Sequence, residues 1–360
     1  MAKRNINAIL AALLCAGVLS ACGQPAASSD ASAQPASSDA SVQATAEATA
    51  ETGTETKKAF SYTFATKAEG EKLMEENTIY FDSLTQNDLD FRLAKKGATL
   101  EEFKDLTITS VTEFSEAEKG LVNDYMAQIE EIVKENGYQI PPIDEIHFVN
   151  MTGEAEGPAA AAYTFGTTVC FNRDFLGFLL NNGHDTHGNE AIFAHELFHC
   201  LTRCCPEFRK EMYSIIHFTV GDREFEIPAS AKDYYLSNPD VEHHDSYATF
   251  MIDGKPVDCF TAWISTQHWE KEGDMFYDYG ITALCPIDGT DTYYTQEQAS
   301  NFDEVLGTNT DYVIDPEECM ADNFCYAIMY GREGYEGKGY PNPEIIDAII
   351  AKLQEGPWMK

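Results

Sequence analysis

Two histidines four residues apart could bind one metal ion in this chain. They occur in the stretch His195-Glu196-Leu197-Phe198-His199. On a helix, side chains at positions i and i+4 lie on one face, so both imidazoles can ligate the same ion. Glu196 lies about 100° further round the helix and can reach a water on that ion without binding the metal. The apolar neighbours indicate a buried helix, where two unpaired imidazoles would be costly. The pattern therefore predicts a zinc site.

A catalytic zinc ion needs a third protein ligand and one open coordination position. Thr202 and Cys205 stand where the metzincin pattern requires glycine and histidine, and no stretch fits the aspzincin pattern Gly-Thr-x-Asp-x-x-Tyr. The segment Glu318-Cys319-Met320-Ala321-Asp322 does fit Glu-x-x-x-Asp. Asp315-Pro316-Glu317 just before it is typical of a helix N-terminus. Both acids of this second motif are therefore predicted to lie on one helix.

The combination of HExxH with a later ExxxD resembles the gluzincins, the thermolysin-like clan of zinc peptidases. The resemblance covers residues from about 160 to 330 and implies one catalytic Zn²⁺. The roles that it implies are metal ligation by His195, His199 and Glu318, general-base catalysis by Glu196, and support of a ligand histidine's outer nitrogen by Asp322. Glu317 is the alternative third ligand. The separation between the two motifs is long for this family, which implies an insertion at about residues 220–310.

The resemblance also implies a mechanism. Zinc lowers the pKa of its water, Glu196 takes a proton as that water attacks a carbonyl, and the same carboxyl passes a proton to the leaving amine. In thermolysin-like enzymes a tyrosine and a histidine after the glutamate ligand stabilise the oxyanion. Here the last histidine is His268. The oxyanion donor therefore stays open among Tyr234, Tyr235, Tyr330, His217, His243, His244 and His268.

Local patterns predict the elements that must position these residues. Ser115 and Glu118 form a capping-box pattern that opens an amphipathic helix. Alternating hydrophobicity predicts strands at Glu145–Met151, Ala160–Phe165 and Thr167–Asn172, the last two joined at Gly166. Further helices are predicted over Asn189–Arg203, over Glu207–His217, from Asp315 onward and from Asn342 to Leu353. The fold class is therefore α+β, and the resemblance implies a zincin-like metallopeptidase domain with a small mixed sheet, an active-site helix and a mainly helical C-terminal part.

The strand before the active helix has a further implied role. In zincins this strand forms the edge along which an extended peptide pairs. Tyr163, Thr164 and Phe165 are the residues that the resemblance places on such an edge. Ordinary interior sheet is the alternative.

The N-terminus reads as a sorting signal followed by a spacer. Lys3 and Arg4 precede an apolar stretch that is too short for an ordinary membrane span. Leu19-Ser20-Ala21-Cys22 resembles the lipobox of bacterial lipoproteins, in which the cysteine is lipidated; an ordinary secretory signal is the alternative. The predicted organisation is a signal peptide at 1–21, a lipidated Cys22 with a disordered low-complexity tether through residue 57, and a catalytic domain at 58–360.

Charge and cysteine content restrict the partners. Acids outnumber bases 60 to 24, which gives a formal charge of −36, so a nucleic-acid partner is not expected. Beyond Cys15 and Cys22 there are eight cysteines; Cys200, Cys204 or Cys205 could bridge to Cys319 or Cys325, or all could be buried free thiols. The stretch Asp288-Gly289-Thr290-Asp291 lacks the later glutamate of an EF-hand loop, so calcium is not expected.

These observations together predict a membrane-tethered, extracytoplasmic zinc metallopeptidase that acts on peptides or proteins. A non-catalytic zinc-binding lipoprotein, either a capture or a sensor module, is the first alternative. A cell-wall peptide amidase is the second. The presence of Glu196 favours catalysis, because a site that only binds zinc does not need a base beside its ligands.

Overall fold

The computed structural model describes residues 60–183 and 186–359. The predicted signal peptide, the lipidation site Cys22 and the tether through residue 57 lie outside the described residues. Within them the chain is a mixed α and β protein with two small sheets. A search of this described part finds no helix long and apolar enough to cross a bilayer.

The described strands and helices follow one another in this order. The strands are β1 (Phe60–Phe64), β2 (Val111–Thr112), β3 (Ile143–Met151), β4 (Ala162–Phe165), β5 (Thr168–Asn172), β6 (Thr219–Val220), β7 (Ser246–Ile252), β8 (Lys255–Ser265), β9 (Gly280–Pro286) and β10 (Tyr294–Thr295). The α-helices are α1 (Lys67–Glu75), α2 (Thr78–Ser83), α3 (Gln86–Arg92), α4 (Leu100–Thr109), α5 (Glu116–Glu135), α6 (Arg173–Asn182), α7 (Ile192–Cys204), α8 (Pro206–Tyr213), α9 (Ala229–Lys232), α10 (Phe276–Tyr279), α11 (Phe302–Leu306), α12 (Pro316–Tyr330) and α13 (Pro343–Glu355).

The first sheet is mixed and confirms the strands predicted from alternation. Its order is β1-β3-β5-β4, with β2 paired to β3. Strands β1 and β5 run parallel to β3, whereas β4 runs antiparallel to β5 and lies at the edge. Gly166 joins β4 to β5 with a φ of 52°, a conformation that favours glycine at a tight turn. The antiparallel edge strand β4 packs directly on helix α7.

Helix α5 begins where the capping pattern predicted. Ser115 Oγ accepts from the Glu118 backbone N–H at 3.2 Å, and Glu118 Oε2 accepts from the Ser115 N–H at 2.6 Å. Two of the four unpaired donors of the helix N-terminus are thereby satisfied. Buried side chains then recur three to four residues apart at Val122, Met126, Ile129 and Val133, so one face of the helix covers the core.

Helices α7 and α12 form the buried centre of the molecule. Both are buried along most of their length, and the rings of Phe198 and Phe324 meet between them with centroids 5.3 Å apart. Asp315 caps α12 by accepting from the Glu317 backbone N–H at 2.9 Å, and Pro316 occupies the first turn. This start position fixes which acids of the first turn face α7.

The predicted insertion folds as a second sheet. Strands β6 to β10 form an antiparallel sheet of order β10-β9-β8-β7-β6, in a region whose sequence predicts no clear elements. Between β6 and β7 of this sheet, residues 236–245 run without helix or strand from α9 to β7. This segment passes between the second sheet and helix α7, and several of its side chains enter the site described below.

A buried ion network joins the N-terminal helices to this segment. The Arg92 side chain is 1% exposed; its guanidinium lies 3.2 Å from Asp88 and 3.1 Å from Glu156, and it donates to the Ser237 carbonyl at 2.8 Å. Tyr80 Oη accepts from Arg92 Nε at 2.8 Å. Each charged group in the network has a partner, which offsets the cost of removing these charges from water.

Replacing Arg92 by alanine should therefore destabilise the protein strongly. The change leaves two buried carboxylates without their cation, and such losses cost about 3–5 kcal/mol. Arg332→Ala is the matched control, because Arg332 pairs with Asp347 at an exposed site and should cost less than about 1 kcal/mol. Urea unfolding of both variants measures the difference. Equal losses for the two would contradict the assignment of Arg92 to a structural network.

Candidate metal centre

Two imidazoles and one carboxylate converge between helices α7 and α12. His195 and His199 lie one turn apart on α7, and Glu318 lies in the first turn of α12. Glu318 Oε2 is 3.1 Å from His195 Nε2 and 3.5 Å from His199 Nε2. One ligand atom from each of the three residues lies within 4.8 Å of the others, and all three residues are buried. The structure thus brings together the three residues that the two motifs predict as ligands.

The geometry of this group fits a metal ion. Ligand atoms about 2.1 Å from a tetrahedral ion lie roughly 3.4 Å apart, close to both separations given above. His199 Nε2 is also a buried nitrogen without a hydrogen-bond partner in the described chain. A buried polar atom without a partner is costly, and a cation among these atoms would remove that cost. These buried histidine and acid groups could therefore hold a metal ion.

The outer nitrogens of both histidines contact carboxylates from α12. Asp322 Oδ1 is 2.9 Å from His195 Nδ1, and Glu317 Oε1 is 2.9 Å from His199 Nδ1. A proton on each Nδ1 would donate to its carboxylate and leave the Nε2 lone pair facing Glu318. Asp322 occupies the supporting position that the resemblance implies. Glu317, the alternative third ligand, lies on the opposite side of His199 from Glu318 and supports that ring.

Glu317 is the most heavily bonded of these acids. It accepts from Thr202 Oγ1 at 2.6 Å and also from Arg203 and Tyr213. Burial by itself would raise the pKa of Glu317, but Arg203 and His199 outweigh it and lower this pKa to about 2. Glu317 is therefore a fixed negative charge behind His199.

Glu196 lies beside His195, His199 and Glu318 without belonging to their group. Its Oε2 accepts from Thr164 Oγ1 at 2.6 Å, so strand β4 orients the carboxyl. Burial raises the pKa of Glu196, although His199 and His195 oppose the shift. A carboxyl with a raised pKa is better matched to accepting and returning a proton near neutral pH.

The second-sheet region adds two donors that the sequence analysis did not find. Tyr312 Oη donates to Glu318 Oε1 at 2.8 Å, and its ring stacks on His195 at 6.5 Å between centroids. The Asn238 side-chain amide also donates to Glu318 Oε1. Asn238-Pro239 is a recognisable turn signal, but no sequence pattern connects this turn to a motif 80 residues away.

Asp240 adds a further carboxylate that sequence reasoning missed. Its Oδ1 accepts from the Thr164 backbone N–H at 2.5 Å and lies 3.8 Å from His199 Nε2. Asp240 also lies within 4.8 Å of Glu196 and His199, measured between their ligand atoms. Burial and the nearby Glu196 raise the pKa of Asp240 well above its usual range. Without a nearby cation, Asp240 therefore keeps its proton more readily than an ordinary aspartate does.

A cavity of about 110 Å³ opens beside these groups. Its lining combines the metal-site residues with an apolar wall. The lining residues are Arg92, Glu156, Ala159, Ala160, Ala161, Ala162, Tyr163, Ile192, His195, Glu196, Ser237, Asn238, Pro239, Asp240, Trp263, Phe276, Tyr277, Tyr312, Glu318 and Asp322.

The oxyanion candidates named from the sequence lie elsewhere. None of the seven lines this cavity. Three hydrogen bonds engage these residues: Tyr330 Oη with the Gly188 carbonyl, Tyr235 Oη with His244 Nε2, and His243 with Glu224. Tyr234 stacks on His268, and His217 ends a 3₁₀ turn. Tyr312 and Asn238 are the neutral donors beside Glu318.

The strand predicted as a substrate edge does lie at an edge, but its residues face in different directions. The Tyr163 side chain is buried, with its Oη 3.1 Å from Met151 Sδ. Thr164 faces Glu196 through its hydroxyl and Asp240 through its backbone N–H, whereas Phe165 packs partly buried beside the first sheet. The edge next to the cavity is formed by the alanines before Tyr163.

The eight cysteines in the described ranges are free thiols. Cys170, Cys200, Cys259, Cys285, Cys319 and Cys325 are buried, Cys205 is partly exposed and Cys204 is exposed. The bridge considered between the α7 and α12 cysteines is therefore not formed. Packing of apolar side chains and the polar contacts of the site hold the two helices together.

Comparison of the chain with protein-family models, curated proteins and solved structures yields no match.

The types and positions of the side chains limit which chemistry this site can perform. Imidazole nitrogens and a carboxylate suit a divalent ion, and Glu196 provides a proton acceptor within the same buried space. The cavity beside them admits a small group whose reacting atom would lie between the cation and the base.

Replacing Asp322 by asparagine should weaken metal binding without unfolding the protein. The change removes the negative charge that favours the Nδ1–H tautomer of His195, and such changes typically cost 10–100-fold in metal affinity. Competition with a chromophoric zinc chelator measures the affinity. Asp347→Asn is the matched control, because Asp347 is exposed on α13, and it should leave affinity unchanged. Equal affinity of the Asp322 variant and the wild type would contradict the supporting role.

The burial of His244 predicts a loss of stability on acidification. Burial lowers the pKa of His244 to about 4, below the value of about 6.5 in an unfolded chain. Between these pH values His244 binds a proton in the unfolded state but not in the folded state. The free energy of unfolding therefore falls as the pH drops from 6.5 to 4, by up to about 3 kcal/mol. Denaturant unfolding at several pH values should show a smaller loss for His244→Gln. The exposed His243, replaced by glutamine, should retain the wild-type slope; equal slopes for all three proteins would contradict this assignment.

Proposed function

We propose that this protein is a gluzincin-type zinc metallopeptidase, which hydrolyses peptide bonds outside the cell while a lipid on Cys22 attaches it to the membrane. The observation that carries the proposal is the position of Glu196. It lies beside the three ligands, outside their set, and Thr164 orients it. A site that only stores zinc does not require a buried base there.

Zinc is the ion that suits this ligand set best. Two imidazoles and one glutamate are a known catalytic zinc set, with one position left for water or substrate. The carboxylates on the outer nitrogens support the same assignment, because ligand histidines in zinc sites commonly donate to such groups. Glu318 is held by Tyr312 and Asn238, which keeps its other oxygen toward the imidazoles.

The arrangement of the elements supports a zincin-like domain. The helix that carries HExxH packs on an antiparallel edge strand of a mixed sheet, and the later helix supplies the third ligand. These are the relations that the resemblance implies. The second sheet accounts for the long separation between the two motifs.

Bound zinc would polarise a water and the substrate carbonyl. Glu196 accepts the proton of the attacking water and returns a proton to the leaving nitrogen. The oxygen of the water forms a new bond to the carbonyl carbon, and the C–N bond then breaks. One water is therefore consumed for each peptide bond cleaved. Bound zinc would also stabilise the developing oxyanion, while Tyr312 and Asn238 keep Glu318 in place. Trp263, Phe276 and the neighbouring alanines limit the water around the reacting atoms.

Replacing Glu196 by glutamine should abolish peptide cleavage while zinc stays bound. Loss of a general base of this kind lowers kcat by about 10²–10⁴-fold, and the glutamine still accepts from Thr164. Cleavage of a mixed peptide pool by mass spectrometry, with zinc content by atomic absorption, measures both properties. Glu207→Gln is the matched control, because Glu207 is exposed on α8. Zinc-loaded wild type that cleaves no peptide would favour the zinc-binding lipoprotein instead.

A further inference from the structure

The outer edge of strand β4 is covered on one side of the metal centre. The backbone N–H of Thr164 donates to Asp240 at 2.5 Å, and that of Gly166 donates to Glu242 at 2.6 Å. Both N–H groups point away from β5, where an extended peptide would have to pair. Carboxylate oxygens from residues 240 and 242 therefore already occupy the positions that a substrate's carbonyl oxygens would need.

The segment that covers this edge is firmly held. Arg203 donates to the Asp240 carbonyl and lies 3.5 Å from the Glu242 carboxylate. Asn238 Oδ1 accepts from the Asp240 N–H at 2.9 Å. The buried network around Arg92 holds the neighbouring Ser237 on both its N–H and its carbonyl side. A long peptide would have to break these contacts in order to continue past the metal centre in this direction.

The other side of the centre is open but narrow. There the cavity is bounded by Ala160–Ala162 on one side and by Trp263, Phe276 and Tyr277 on the other. Its volume of about 110 Å³ is below that of an engineered cavity that accepts a benzene molecule. A substrate can therefore leave the centre in one direction only, and its other end must finish close to Asp240.

Asp240 determines whether the N-terminus or the C-terminus of a peptide would lie on this covered side. Asp240 is 6% exposed, lines the cavity, and has one oxygen on Thr164. The other oxygen accepts no hydrogen bond in the described chain. Arg203 on α7, which donates to the Asp240 carbonyl, is engaged by Glu317 and Glu242. A buried carboxylate in this position is stabilised by a cation from outside, whereas it would repel the carboxylate of a peptide C-terminus.

Bond lengths then fix where cleavage would occur. An ammonium nitrogen lies two covalent bonds, or roughly 2.5 Å, from the carbonyl carbon of its own residue. Ligand atoms of Asp240 and Glu196 lie within 4.8 Å of each other. An amino terminus bound to Asp240 therefore brings the first peptide bond, and not the second, next to Glu196.

The geometry points to an aminopeptidase: Asp240 binds the α-ammonium group of a peptide, and the enzyme releases one N-terminal residue at a time. This inference rests on the zinc peptidase proposed above. Water's oxygen bonds to the first carbonyl carbon, the C–N bond to the second residue breaks, and that nitrogen leaves as a protonated amine. The α-ammonium group stays protonated throughout, so no further reactant is needed.

Peptides of one sequence, with either a free or an acetylated N-terminus, test this inference. Wild-type enzyme should shorten the free peptide stepwise from its N-terminus and leave the acetylated peptide intact. Asp240→Asn should lower kcat/KM for the free peptide by about 10–100-fold, the range of one hydrogen bond to a charged group, and should retain zinc. The asparagine still accepts from Thr164, so the edge stays covered. Glu207→Gln is the control, because Glu207 is exposed on α8 and does not line the cavity; this variant should cleave like the wild type.

A binding measurement separates the amine site from catalysis. Calorimetry on zinc-loaded Glu196→Gln should detect alaninamide and not N-acetylalaninamide, and the added change Asp240→Asn should remove that preference. Internal fragments, or equal cleavage of the acetylated peptide, would overturn the aminopeptidase while the peptidase stands. Loss of zinc from Asp240→Asn would make Asp240 a ligand and also overturn it. If no peptide is cleaved, the proposed function fails, and calorimetry alone decides whether Asp240 binds an amine.

Discussion

The contact between helices α7 and α12 is the constraint on which the site depends. Two imidazoles from one helix meet three carboxylates from the first two turns of the other: Glu318 on the inner nitrogens, and Asp322 and Glu317 on the outer ones. These groups are buried, so each must keep a partner or lose stability. The N-cap at Asp315 fixes the start of α12, and with it the rotation that gives each acid its histidine. A shift of one residue would put Glu317 in the place of Glu318 and Ala321 in the place of Asp322, so His195 would lose its supporting carboxylate.

The second sheet turns this contact into a closed site. It brings Tyr312 and Asn238 onto Glu318, and it holds residues 236–245 against strand β4. The buried network around Arg92 ties the same segment to the N-terminal helices. Three regions far apart in the chain therefore surround one cavity. Because polar groups that line this cavity are fixed by partners outside it, a bound molecule would meet a site that is already organised.

Sequence reasoning was most successful where one local rule decides the outcome. The capping box at Ser115, the turn at Gly166 and the proline-led start of α12 each depend on a few neighbouring residues. The HExxH spacing likewise puts His195 and His199 on one helix face wherever the helix lies. The oxyanion candidates were not identified correctly, since none of the seven lines the cavity. Tyrosines and histidines are numerous, and composition does not indicate which of them reaches the cavity. Tyr312 carries no pattern that separates it from Tyr330.

The sequence by itself determined the two helical motifs and strands β3, β4 and β5 of the first sheet, because helix periodicity and strand alternation follow from covalent geometry over a few residues. Tertiary structure alone decided that Glu317 supports His199, that Thr164 orients Glu196, and that Asp240 closes one side of the cavity. Each of these contacts joins residues separated by more than thirty positions. Such contacts arise only when the packing of whole elements brings the side chains together, and no local pattern encodes that packing.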